Sequence, residues 1–212
     1  MNTKSLFASI VLMLGLSAAP VMATPLNLNL AETPDIVSSF LSVNYDSIAQ
    51  VLTVDGFATQ LDLDGIAPGD MITDVVGGTN PGLFNLTATV DNAGVFQSGS
   101  FSIFGSVLGA APTTLISGIL TAMGTDVSTL EFLFGVTGGS YEATFGGIGA
   151  IGGIIISQLD DNLTADWTAD FASSSFSVQA DTAAMPAPEP GILFLQGLGL
   201  LMLIGLRRRG TK

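Results

Sequence analysis

"LFNLTATVDNAG", residues 83–94, decides the fold. Phe84, Leu86, Ala88 and Val90 alternate with Asn85, Thr87 and Thr89, and Asp91-Asn92-Ala93-Gly94 then breaks the run. Alternation of this length places every apolar side chain on one face of an extended chain, the mark of a half-buried strand, and the Asp/Asn/Gly cluster supplies a turn. Leu130, Phe132, Phe134 and Val136 repeat the pattern ahead of Gly138-Gly139. Phe101 and Ile103 do so between serines ahead of Gly105, and residues 51–54 run into Asp55-Gly56, read as a further break. Short strands rich in Thr, Val, Ile and Phe, separated by turn residues, predict an all-β domain, either an antiparallel sandwich or a barrel-like sheet. A β-solenoid is the main rival, but no fixed period runs through the chain.

Two apolar segments resist this reading. Residues 113–123 (TTLISGILTAM) fit a short helix or a buried strand, because periodicity alone does not separate the two over that length. Residues 146–157 (GGIGAIGGIIIS) read as a Gly-rich loop leading into a buried strand at 154–156. A last strand is expected around residues 176–178. Residues 180–187 are small, Pro-containing and aperiodic, and read as a linker.

Charge is distributed unusually. The chain has 18 acidic and 5 basic residues, with no His and no Cys. Lys4 lies near the start and Arg207, Arg208, Arg209 and Lys212 lie near the end, so residues 24–188 hold 17 acidic residues and no base. A nucleic-acid partner is excluded, since binding relies on Lys and Arg neutralising phosphates. Phosphorylated substrates lose their usual partners for the same reason. Ser-His-Asp and Cys-His arrangements need a nitrogen base or a thiol, and zinc and copper sites need His or Cys. Carboxylate chemistry and hard cations are what remain, and the expectation is a protein that is not an enzyme.

Both ends carry targeting signals. Lys4, the apolar run at residues 6–16, and Val21-Met22-Ala23 with small residues flanking a cleavage point make a signal helix over residues 1–23, cleaved after Ala23. At the other end, residues 191–206 contain no charge and one polar amide, Gln196. As a helix those 16 residues span about 24 Å. Arg207–Arg209 extend the reach to the interface and hold that end on the cytoplasmic side. A single C-terminal transmembrane helix is expected.

The order Pro188-Glu189-Pro190, apolar Gly- and Leu-rich run, Arg207-Arg208-Arg209 resembles a PEP-CTERM sorting signal, the tag of exosortase substrates in certain Gram-negative bacteria. The resemblance covers residues 188–212. Gly191-Ile192 departs from the small hydroxylated residues often found after the motif. The resemblance implies a route: export, an inner-membrane-anchored intermediate, recognition at Pro188–Pro190 by an exosortase-type sorting enzyme, removal of the tail, and delivery to the cell surface or extracellular matrix, with exopolysaccharide as a possible partner. The domain order is then signal at 1–23, all-β domain at 24–179, linker at 180–187 and sorting signal at 188–212.

Within the domain, Asp62-Leu63-Asp64-Gly65 and Asp160-Asp161-Asn162 are the candidate calcium ligands, because alternate carboxylates ending in Gly can wrap a hard cation. The competing reading is a solvated turn, since the bidentate Glu that would complete a known loop is missing. No other cofactor is expected. The alternative function is a carbohydrate-binding module or an acid-catalysed carbohydrate-active enzyme, which would need two carboxyl groups at a set separation and aromatic platforms. Trp167, Tyr45 and Tyr141 are the platform candidates. Asn85-Leu86-Thr87 and Asn162-Leu163-Thr164 match the glycosylation acceptor pattern, a match common by chance.

Overall fold

The alternation seen at residues 84–90 runs around a closed ring of strands. The computed structural model describes residues 24–66, 68–126, 128–159, 166–174 and 177–186. Within them the strands are β1 (Asp35–Asp46), β2 (Val51–Asp62), β3 (Asp70–Thr73), β4 (Gly82–Val90), β5 (Phe96–Val107), β6 (Thr113–Asp126), β7 (Thr129–Gly138), β8 (Ile151–Ser157), β9 (Phe171–Ser174) and β10 (Gln179–Ala184). Every pairing is antiparallel, and each long strand pairs with the next in the chain. β10 pairs with β1, and β1 pairs with β2 along nearly its whole length, so the sheet closes on itself. The all-β expectation holds, and of the two architectures left open the barrel is the one observed. The expected signal helix at residues 1–23 and the expected transmembrane helix at 191–206 fall outside the described residues.

Eight strands form the ring, and the two short ones lie end to end with members of it. β3 pairs with β2 at Gln60–Leu61 and with β5 at Ser106–Val107, beyond the point where β4 begins, so it extends the β4 position. β9 pairs with β1 at Ser42–Tyr45, beyond the stretch that β10 occupies. Antiparallel neighbours joined by short turns need little loop closure, which suits a meander of this kind.

A barrel of eight strands has an interior that side chains alone can fill. Here Phe84, Leu86, Ala88 and Val90 of β4, Phe101 and Ile103 of β5 and Leu130, Phe132, Phe134 and Val136 of β7 all point inward and are buried in one apolar cluster. Phe101 and Phe134 meet with ring centroids 4.5 Å apart. Two glycines make room for them. A Cβ on Gly118 would lie 2.6 Å from Phe101, and one on Gly152 would lie 2.2 Å from Phe134. The Gly-rich segment at 146–157 thus serves packing as well as turning.

Three sequence expectations are corrected. Asp55-Gly56 does not end β2. Gly56 sits opposite a bulge in β1, where Phe40 adopts φ 56 and where a Cβ on Gly56 would come within 2.3 Å of Leu41. Residues 180–187 are not a linker throughout, because Gln179–Ala184 is a full member of the barrel. Its alternation carries little hydrophobic signal, because the inward positions hold small Ala180 and Thr182 around outward Asp181. The all-β domain therefore runs past residue 179, and the last described strands are β9 and β10, on either side of the strand expected at 176–178, of which Phe176 lies outside the described residues. Residues 113–123 belong to strand β6.

Candidate functional site

Of the proposed calcium ligands, Asp62 is the last residue of β2 and Asp64 follows it, and each closes a local turn. Asp62 Oδ1 accepts from the amides of Asp64 (3.0 Å) and Gly65 (2.8 Å), and Asp64 Oδ1 accepts from Ile66 N (3.0 Å). Gly65 supplies the positive φ of 76° that the turn requires. Asp-x-Asp-Gly thus has a backbone role of its own here. Asp160 and Asp161 lie outside the described residues, as do Ala23, Pro188–Pro190 and Arg207–Arg209. Among the described residues no group of three His, Cys, Asp or Glu side chains is placed to hold a metal ion.

Acid chemistry collects where the barrel closes. Asp35 pairs across the strands with Asp62, and its carboxyl shares a hydrogen bond with Asp181 of β10. Burial pushes the Asp35 carboxyl up to about 8, and the hydrogen bond to Asp181, the charge of Asp181 and the charge of Asp62 push the same way. Its Oδ1 is buried with no partner among the described residues. The neutral form is the one this site stabilises.

The aromatic residues that the sequence offers as sugar platforms are structural. Tyr45 (2 % exposed) and Trp167 (5 %) pack edge to face at 4.9 Å, with Phe171 stacked on Tyr45 at 5.1 Å. The Tyr45 hydroxyl donates to Val90 O (2.8 Å), tying β1 to the end of β4. Tyr141 packs against the core from the β7–β8 connection.

The exposed aromatic residues are phenylalanines that sequence reading passed over. Phe57 on β2 is paired with Leu83 on β4, and Leu83 with Phe104 on β5. Phe40, in the β1 bulge, lies one register position from Phe57, whose own partner is Ser39. These four are 49, 41, 44 and 37 % exposed for Phe40, Phe57, Leu83 and Phe104. They form a row across four adjacent strands on the outside of the barrel. With Asp74, Asn80 and Pro81 they line a groove of about 520 Å³. The signal was present in the parity of the strands. Leu83 stands in the outward register of Asn85 and Thr87, and Phe104 in that of Ser100 and Ser102, where polar residues belong.

A second surface feature lies over β6–β8. The N-terminal segment crosses these strands as a strap, and Glu131, which faces outward from β7, is buried beneath it. The Glu131 carboxylate accepts from three successive backbone amides, Leu26 N (2.5 Å), Asn27 N (2.9 Å) and Leu28 N (3.1 Å). Glycines on the flanking strands cut the furrow. A Cβ on Gly124 would lie 2.5 Å from Leu26 N, and one on Gly153 would lie 2.5 Å from Leu30 and 3.5 Å from Met185.

Comparison of the chain with protein-family models, with curated proteins and with solved structures gave no match.

Proposed function

We propose that this chain is an exported, non-enzymatic protein of the cell surface or extracellular matrix of a Gram-negative bacterium, delivered through its C-terminal sorting signal. The observation that carries the reading is the order of parts: signal segment, acidic domain without a base, Pro188-Glu189-Pro190, apolar run and Arg207–Arg209. Two prolines fix φ and keep the segment extended and free of ladder hydrogen bonds, which suits recognition by an exosortase-type enzyme. The inner membrane is the transient partner of residues 191–206.

The polarity of the barrel supports a life outside the bilayer. Along β4 and β5 the apolar side chains face in while Asn85, Thr87, Ser100 and Ser102 face out, the reverse of a lipid-facing barrel. Calcium is the cation that the acidic surface would gather, and a calcium-dependent rise in melting midpoint tests that part.

The test of the main reading is the intact mass of the protein recovered from envelope and medium fractions of its host. A chain starting at Thr24 and ending near Pro188 is expected. A mass that still includes residues 191–212, found in the inner membrane, would overturn the sorting reading and leave the tail as a plain anchor.

A further inference from the structure

From the outward row Phe40–Phe57–Leu83–Phe104 and its polar wall we infer that the groove across β1, β2, β4 and β5, bounded by the β3–β4 loop, is a binding site for a neutral saccharide chain. Neighbouring strands lie about 4.8 Å apart, so Phe57 and Phe104, two strands removed, sit about 9–10 Å from each other with Leu83 between them. Successive rings of a linear glycan can rest on such a row. The C–H face of a pyranose carries partial positive charge and matches the negative face of an aromatic ring.

The polar side of the groove supplies what the hydroxyl groups need. Asp74 and Asn80 close the β3–β4 loop. Asn80 Nδ2 donates to Asp74 Oδ2 (3.0 Å), and Asp74 N donates to Asn80 O (2.9 Å). Asp74 Oδ1 has no partner among the described residues. Sites for small polar ligands combine an apolar floor with a few placed polar groups in this way.

Two further observations favour a ligand over an idle surface. Bulky side chains rarely tolerate φ near +60°, yet Phe40 is held at φ 56 in a bulge that turns its ring outward. Other apolar side chains are exposed, Ile48, Leu108 and Ile148 among them, but these lie in turns and loops, whereas Phe40, Phe57, Leu83 and Phe104 stand side by side on paired strands, and a contiguous apolar patch marks an interaction site. Charge then chooses the partner. Residues 24–188 contain no base, so uronate, sulfate or phosphate polymers and anionic lipids are repelled, and a second copy carries the same negative charge. A neutral glycan meets none of these penalties.

The inference rests on the surface-protein reading only for the place where the ligand is met, so the two fail separately: the intact mass reports sorting, and the following reports binding. The region 24–186, which contains the whole closed sheet and its core, is run in native gels cast with mixed-linkage β-glucan, xyloglucan, galactomannan or alginate. Retardation by at least one neutral polymer and none by alginate is expected. Combining Phe57→Ala with Phe104→Ala should weaken the retardation at least tenfold. Asn80→Ala, at an exposed loop position, should also weaken it, while Ile148→Ala, on an exposed loop elsewhere, should not. Unchanged melting confirms that each variant is folded. Three results overturn the inference: no retardation in any neutral gel, equal retardation of the double variant, or a concentration-dependent dimer that the double variant dissolves, which would assign the row to a second copy.

Discussion

Glu131→Ala is expected to release the N-terminal strap while leaving the barrel closed. The carboxylate accepts three amides for which no other acceptor is found among the described residues, and it does so beneath the surface. A hydrogen bond to a charged acceptor contributes about 1.5–3 kcal/mol singly. Three sharing one carboxylate are not additive, so roughly 3 kcal/mol is a fair value for the set. The loss cannot exceed the free energy that docks the strap, because undocking exposes the three amides to water. Local opening governed by about 3 kcal/mol slows exchange by roughly a hundredfold.

The assay is amide hydrogen exchange read at Leu26, Asn27 and Leu28, with Phe132 as the barrel reference. In the native chain the strap amides should exchange roughly a hundredfold more slowly than in an open chain. In Glu131→Ala they should exchange freely, with Phe132 nearly unaffected. Glu131→Gln keeps one carbonyl oxygen and should retain about a tenth of the protection. Gly124→Ala attacks the same contact from the other side, since its Cβ would press on Leu26 N at 2.5 Å and on Thr24 O at 2.7 Å. Strap amides that stay protected in both Glu131→Ala and Gly124→Ala would refute the reasoning.

Asp35→Asn tests the acidic seam. The folded state raises the Asp35 carboxyl from 3.8 to about 8, so it holds the proton more tightly than the unfolded chain does. The resulting stability is complete below 3.8 and is lost as pH rises through 8. Asp35 is only partly buried, so solvent screening reduces the effect to about 1–2 kcal/mol. Denaturant midpoints from pH 5 to 9 should fall for the native chain and stay nearly level for Asp35→Asn; parallel curves would remove the seam from the account. Gly152→Ala should destabilise the barrel by about 1–3 kcal/mol through overpacking against the fully buried Phe134, measured by urea unfolding. Thr182→Val should stabilise it by about 1 kcal/mol, because the Thr182 hydroxyl is buried without a partner among the described residues and valine keeps its shape. A lower melting temperature in Thr182→Val would mean that the hydroxyl is satisfied in solution.

Strands with large apolar inward residues were legible in the sequence. β4 and β7 follow the alternation of Phe84–Val90 and Leu130–Val136 residue for residue. β10 was not, because Ala180 and Thr182 fill inward positions where the barrel has little space, and small residues carry no hydrophobic signal. The β1 bulge was also hidden. It shifts the inward face from Ser38 to Leu41, so simple period-two counting fails there, and Gly56 was mistaken for a turn when its task is to let the bulged strand approach. The site was missed for a related reason. Rarity drew attention to the one Trp and two Tyr of the chain, but Trp167 and Tyr45 close the end of the barrel. The exposed phenylalanines are informative only through parity, as apolar residues in an outward register.

Closure of the sheet constrains how such a protein can associate. An open sheet offers a row of unpaired amides and carbonyls to any neighbouring strand, and matrix proteins can grow by adding strands at such an edge. Here β1 pairs with β2 on one side and with β10 and β9 on the other, so the eight principal strands form a ring without ends. The ring itself thus offers no edge, and contacts between copies or with other molecules run chiefly through side chains on its outer surface. Most of that surface bears Ser, Thr, Asn and unbalanced carboxylates, which favour water and repel a second copy. The aromatic row is the place where apolar area, a polar wall and a strained bulge coincide, and there the barrel can gain from leaving water.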